Sequence, residues 1–397
     1  KQTLPRVLYI GDVPIESSYH GSALLYRLLT TYPAEKLRIL EAGLLQSRPS
    51  RRLAGVAYYT GLQLGRRLLH TRFHRYVSSC FSLLASTRIR MVEKAIIGFE
   101  PDAILTVAHG YSWITAAHWS VSRRVPLHLI VHDDWPRAIK ATRCVTRFVD
   151  QEFGKCYQLA ATRLCVSPGM IESYKHRYMA TGTLLYPSRS IDVVQHEPIQ
   201  RGFEAKNEPL VFAFGGTINS SGHVLALQQL ALALDQIGAT LNIYGPITER
   251  DGARLGLLKR NIRICGLVMP DLFIQRIRNE ADVLFIPMSF APEDRANMTL
   301  CFPSKLADYT AAGLPLLVYG PDYSSAVRWA RENPGVAAVV DRATQTELVS
   351  AVVRLTSGAY RQKLAETAVI VGARLFSHSS VSETFLTALS QTRNPAG

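Results

Sequence analysis

Cysteine is scarce and unpatterned in this chain. Cys80, Cys144, Cys156, Cys165, Cys265 and Cys301 stand apart, with no C-x-x-C pair and no metal-type spacing. That argues against a disulfide-stapled scaffold and a zinc-ribbon site, and suits reduced, mostly buried thiols in a cytosolic compartment. No apolar run approaches the ~18–20 residues of a transmembrane helix, so no membrane span is expected. Internal repeats and low-complexity tracts are absent as well. The chain opens on Lys1 and shows no signal-peptide pattern there. Acids are in short supply, since 31 Asp and Glu stand against 45 Lys and Arg, a net charge of +14. Such a field attracts nucleic acids, anionic membranes or phosphorylated substrates, and charge alone does not choose among them.

What is present is a well-folded globular pattern, with 47% hydrophobic and 19% charged residues. At 397 residues the chain exceeds one ordinary core, which makes two domains the expectation. "RVLYIGD" (6–12), "LRILEAG" (37–43), "DAILTVAHG" (102–110), "PLHLIVHDD" (126–134), "RLCVS" (163–167) and "TLLYPS" (183–188) are short apolar runs separated by helical segments. The polar stretch 188–208 has no apolar period and reads as a linker. Alternation then restarts with "PLVFAFGG" (209–216), "ATLNIYG" (239–245), "IRICG" (262–266), "ADVLFIP" (281–287), "LPLLVYG" (314–320) and "GVAAVV" (335–340). Residues 344–391 read as successive helices. Continuous apolar strands alternating with helices mean parallel sheets covered on both faces. The expected fold is α/β, with two tandem doubly wound (Rossmann-like) domains facing across a cleft. An N-terminal domain covers 1–188, a linker 189–208 and a C-terminal domain 209–375, while 376–397 forms a terminal helix packing back on the first domain.

In open parallel sheets, ligands bind beyond the carboxyl ends of the strands. Gly215, Gly216 and Thr217 follow one strand directly, and Gly245 follows another. Glycines there admit close backbone approach, and a helix starting near His223 favours anions; a plain tight turn would use the same residues. In "CFPSKLADYTAAGLPLLVYGP" (301–321), Pro303 suits a first helical turn, and Ser304 and Lys305 share that turn. A cation set against the helix dipole invites an anion between them, which points to phosphate. Asp308, on the same face as Lys305, is placed to accept from ribose hydroxyls. A simple Lys305–Asp308 surface pair is the competing explanation.

The segment "FPSKLADYTAAGLPLLVYGP" resembles the nucleotide-sugar-binding segment of GT-B glycosyltransferases, in particular the family 4-like group. Asp308 stands five residues before Gly313 of an "A-A-G-x-P" turn, and Gly215-Gly216, "NIYGP" and "IRICGLVMPDLFIQRIRNEADVLFIP" keep the family order. The likeness covers most of 209–340, and is looser in the first domain, at "HGSALLYRLL" and "LIVHDDWP". It implies the GT-B fold and a retaining, metal-independent transfer of a sugar from a nucleotide diphosphate-sugar to a glycan or lipid-linked acceptor, with no cofactor. It implies that Asp308 binds the ribose, where the second of two family glutamates stands. Leu300 falls where the first would be, a departure from the pattern. Lys305 and the Gly215–Thr217 backbone are the implied diphosphate contacts, because "TINSSGH" carries no lysine or arginine. His132 matches a histidine that faces the reacting sugar, with Asp133 beside it, and His109 and Gly21 fall on the acceptor side. No metal ligands are implied, and no D-x-D arrangement flanked by a strand is present.

One stretch stays outside this scheme. Residues 47–79, "SRPSRRLAGVAYYTGLQLGRRLLHTRFHRYVSS", interleave arginines with leucines and aromatics and hold no acid. Basic helices with apolar faces lie on anionic membranes, whereas an ordinary helix with solvated arginines has the same composition. Gly55, Gly61 and Gly65 interrupt a single amphipathic helix. The expected localisation is cytoplasmic, with peripheral contact at the inner face of the plasma membrane. Two other functions remain compatible with these residues. One is a GT-B protein that has lost catalysis and serves as a basic membrane- or nucleic-acid-binding module, although no nucleic-acid-recognition module is recognisable. The other is a sugar-nucleotide epimerase or hydrolase.

Overall fold

A computed structural model describes residues 4–17, 20–43, 45–61, 73–139, 141–198 and 209–391. The chain divides into two compact units, one of residues 1–188 with 378–397, the other of residues 189–377. In the first unit, β1 (Val7–Gly11), β2 (Leu37–Glu41), β3 (Ala57–Thr60), β4 (Ala103–Val107), β5 (Leu127–Val131), β6 (Thr162–Cys165) and β7 (Thr183–Leu184) form one sheet in the order β3-β2-β1-β4-β5-β6-β7. The second unit holds β8 (Val211–Gly215), β9 (Thr240–Tyr244), β10 (Ile262–Gly266), β11 (Val283–Pro287), β12 (Leu316–Tyr319) and β13 (Ala338–Val340) in the order β10-β9-β8-β11-β12-β13. Every recorded strand pair is parallel.

The central strands are buried along their whole length because helices cover both faces. "VLYIG", "AILTV" and "LHLIV" have no exposed position. Each fully buried Leu or Phe contributes about 2 kcal/mol of transfer free energy. In the second unit Phe212, Phe214, Leu241, Ile243 and Phe285 pack with Leu227, Leu230 and Leu234 of the helix Ser221–Asp235. That helix begins where Ser220 Oγ accepts from the His223 amide at 3.3 Å, satisfying one of its orphan donors. In the first unit, the helix His378–Leu389 supplies Val381, Phe385, Ala388 and Leu389 to a core that includes Leu25, Leu28 and Leu29. His378 Nε2 lies 2.9 Å from the Arg27 carbonyl oxygen.

The basic stretch folds differently from one amphipathic helix. Pro49–Arg51 forms a 3-10 turn, Ala57–Thr60 is the edge strand β3, and a helix starts only at His74. "AYYT" forms a strand with Tyr58 and Tyr59 partly buried and Ala57 and Thr60 exposed. The part from 62 to 72 lies outside the described residues, as does 199–208 of the expected linker.

Candidate functional site

In both sheets the strand order reverses beside the first strand of the unit, between β1 and β4 and between β8 and β11. Such switch points open a crevice at the carboxyl ends of the strands. In the second unit that end is lined by glycines. Gly216 follows β8 with φ 136°, a conformation that L side chains rarely adopt. A Cβ on Gly245 would stand 2.3 Å from the Gly216 carbonyl oxygen, so the two strand ends approach to backbone contact. The Gly216 amide donates to the Tyr244 carbonyl at 2.8 Å, and the Gly245 amide to the Gly266 carbonyl at 2.9 Å. Gly215 has a packing reason to be small, since a Cβ there would strike the Phe273 ring, and its amide donates to Tyr309 Oη at 2.6 Å. Thr217 follows, partly exposed.

Lys305 reaches this end from the segment after β11. Its Nζ lies 4.1 Å from the centroid of the Phe214 ring and 3.2 Å from where a Gly216 Cβ would be. Burial pulls its pKa down to about 7. No carboxylate pairs with it among the described residues, an expensive arrangement for an ammonium group. The helix it opens is short, Lys305–Tyr309, with Ser304 as an exposed N-cap that makes no side-chain bond. Pro303 precedes this helix, its carbonyl accepting from the Leu306 amide at 3.0 Å. The dipole of so short a helix is weak, and the substantial N-terminus at this sheet end belongs to Ser221–Asp235.

Asp308 lies near a guanidinium that sequence reasoning missed. Arg189 is 4% exposed. It donates to the Ala307 carbonyl at 2.8 Å, Thr310 Oγ1 at 2.9 Å and Gln195 Oε1 at 3.1 Å. Burial lowers its pKa to about 10, and the charge of Asp308 acts in the opposite direction. Arginine in a polar stretch carries no sign of burial, so only the fold discloses this clamp. Leu300 is 3% exposed and offers no carboxylate where the resemblance places one.

Two further polar groups follow in turn, His223 near Lys305 and Asp294 near His223. Burial, then the nearby Lys305 charge, lowers the His223 pKa to about 4, with Asp294 opposing. His223 Nδ1 and Asp294 Oδ2 are buried without a hydrogen-bond partner among the described residues. A histidine two residues into a capped helix, after Gly-Gly at a strand end, was the available signal for the first. Asp294 ends the 3-10 turn Pro292–Asp294, just before the helix Arg295–Leu300, and gave none.

In the first unit His109 and His132 follow β4 and β5, at neighbouring strand ends. Burial brings the His132 pKa down to about 4, Asp133 opposing and His109 reinforcing. His109 is exposed, its ring 4.3 Å from that of Trp135 between centroids. Asp133 is exposed, whereas its neighbour Asp134 is 7% exposed and accepts from Tyr174 Oη at 2.9 Å and Arg177 Nη1 at 3.2 Å. Gly21 is the second residue of the helix His20–Leu29.

Asp12, which the sequence did not single out, occupies the switch point of this sheet. One oxygen, Oδ2, accepts from the Tyr111 amide at 2.6 Å and the Ser112 amide at 2.5 Å, at the start of the helix Ser112–Arg123. Burial raises its pKa, while those amides and Arg88 oppose. Gly110, at φ 65°, leaves the space, since a Cβ there would strike the carboxylate. Asp12→Ala should cost about 2 kcal/mol of unfolding free energy by orphaning two buried amides. Asp12→Asn, which keeps an acceptor oxygen, should lose less than half of that in urea titrations. Equal losses would mean that charge, not hydrogen bonding, holds the helix. Among the described residues no three His, Cys, Asp or Glu side chains cluster to hold a metal ion.

No family model and no curated protein sequence matches the chain significantly. Solved structures do match. HepE from Anabaena, in complex with UDP and glucose, superposes with a TM-score of 0.65 at 13% identity, covering 97% of this chain and 99% of that one. An α,α-trehalose 6-phosphate synthase from Burkholderia multivorans gives 0.63 at 15% identity, over 98% and 96% of the two chains. Sucrose-phosphate synthase from Thermosynechococcus elongatus gives 0.64 at 14%, over 96% and 97%. The chain therefore has the GT-B fold of two Rossmann-like domains.

Proposed function

We propose that this protein is a glycosyltransferase that takes its sugar from a nucleotide diphosphate-sugar. The observation that carries this reading is Lys305, a partly buried ammonium with no carboxylate partner among the described residues, beside the strand-end glycines of a switch point. A diphosphate supplies the missing counter-charge. The first-turn amides of Ser221–Asp235 add dipolar stabilisation, and His223 Nδ1 offers a further polar contact. Asp308 is assigned to the ribose hydroxyls, Gly216, Thr217 and Gly245 to close backbone approach, and Pro303 and Ser304 to the turn that delivers Lys305. In the reaction the bond from the anomeric carbon to the diphosphate oxygen breaks, and a bond to an acceptor hydroxyl oxygen forms. The hydroxyl proton leaves with the diphosphate. Developing negative charge on the leaving group is what Lys305 meets, and no metal is required for that role. In the first unit, His132 and Asp133 are assigned to turnover, and His109 and Gly21 to the acceptor. Retention of configuration and a glycan or lipid-linked acceptor rest on the likeness of 302–321 to family 4-like enzymes.

UDP-glucose is the first donor to test, because HepE is known in complex with it. With Lys305 titrating near 7 in the free protein, roughly nine-tenths of it is charged at pH 6 and one-tenth at pH 8. The charged form binds the anion, so affinity should fall about tenfold from pH 6 to pH 8. Calorimetric titration at the two values measures this. Lys305→Arg should flatten the profile, because guanidinium does not titrate there. No binding of UDP-, GDP-, ADP- or TDP-sugars at either pH would overturn the proposed function.

A further inference from the structure

The helix His74–Leu84 is inside out. Its buried residues are Ser78, Ser79, Phe81 and Ser82, three of them polar. At 100° per residue, Tyr76, Cys80, Leu83 and Leu84 fall on the opposite arc, and all four are exposed. Tyr76 is 64%, Leu83 51% and Leu84 56% exposed, with Phe73 exposed just before the helix. Buried serines are tolerated where they bond within the helix, as Ser82 Oγ does to the Ser78 carbonyl at 2.8 Å and Ser79 Oγ to the Arg75 carbonyl at 2.7 Å. A helix in water normally turns its apolar arc to the core. This one offers it outward.

Charge selects what the arc meets. The sequence holds no Asp or Glu between Glu41 and Glu93, and nine arginines stand in that interval. Arg75 on this helix and Arg90 on the next, Ile89–Ala95, are exposed beside the arc. Arg88 instead lies over the Phe81 ring, 5.2 Å from its centroid, and Glu93 is held by Arg123 at 2.7 Å. A second copy of this face would bring like charges together. Nucleic acid would answer the arginines but leave the leucines in water. An anionic bilayer answers both, taking apolar side chains at the acyl boundary and arginines at the headgroups.

We propose that the outward arc of His74–Leu84, with Arg75 and Arg90, docks the protein on anionic lipid surfaces. No described helix is long and apolar enough to cross a membrane, so the contact is peripheral. The contact does not depend on transferase activity. Flotation of the full chain with vesicles of equimolar phosphatidylglycerol and phosphatidylcholine tests it, against phosphatidylcholine alone. The protein should float with the anionic vesicles only. Arg75→Ala with Arg90→Ala should weaken binding roughly 30-fold. Tyr76→Ser, Leu83→Ser and Leu84→Ser together should weaken it at least tenfold with thermal unfolding unchanged, as their exposure requires. Absence of flotation, or equal flotation with neutral vesicles, would overturn the proposal. So would a dimer in sedimentation equilibrium that the serine variant dissolves, since the face would then belong to a second copy.

Discussion

Lys305→Met should remove measurable binding of UDP-glucose and, at the same time, raise the unfolding temperature of the ligand-free protein. The two effects share one cause. Methionine keeps the length and the apolar stem packed near Phe214 but deletes a desolvated charge that lacks a carboxylate among the described residues. Loss of a charge contact to diphosphate should cost about 2–5 kcal/mol, or 30-fold to several thousand-fold in dissociation constant. Removal of the desolvated ammonium should return about 1 kcal/mol to the folded state, the usual sign where a binding site is held at the expense of stability. Calorimetric titration and thermal unfolding of the same preparation read both quantities. A variant that binds normally and melts lower would make Lys305 a packing residue and leave the diphosphate without its cation.

His132→Ala should act on the other observable. Turnover, followed as release of UDP from UDP-glucose, should drop about 100-fold or more, in the range of acid–base and hydrogen-bonding groups. The dissociation constant for UDP-glucose should stay unchanged. Burial outweighs the opposing charge of Asp133 and, with a smaller push from His109, keeps the imidazole neutral at any pH well above 4. The loss should therefore be the same at pH 6 and pH 8. That separates it from the Lys305 effect, which titrates between those values. Normal turnover in the variant would remove His132 from the chemistry.

Much of the fold was legible because its evidence is local and repeated. Five-residue apolar runs such as "VLYIG" and "LHLIV", alternating with helical segments, have few solutions other than parallel sheets. Gly215, Gly216 and Gly245 were visible as strand-end glycines, although packing against Phe273 explains Gly215, a positive φ explains Gly216 and backbone approach explains Gly245. The strand Ala57–Thr60 was obscured because four residues amid arginines resemble a helix edge as readily as a sheet edge. Asp12 and Arg189 were illegible for a different reason. Their partners, Ser112 and Thr310, lie 100 and 121 positions away along the chain.

The sequence by itself determined the class of fold, the positions of the strand ends and the presence of Lys305 and Asp308 near one of them. Each follows from composition and periodicity within a window of some tens of residues. The tertiary structure decided which charges are paired and which are not. Asp308 has Arg189 close by, Asp12 has two amides, and Lys305 has an aromatic face and no carboxylate among the described residues. It also decided that Leu83 and Leu84 face outward while Ser78, Ser79 and Ser82 are buried. Pairing and burial depend on what other elements bring to the same place, and periodicity along one helix cannot disclose which of its faces they cover.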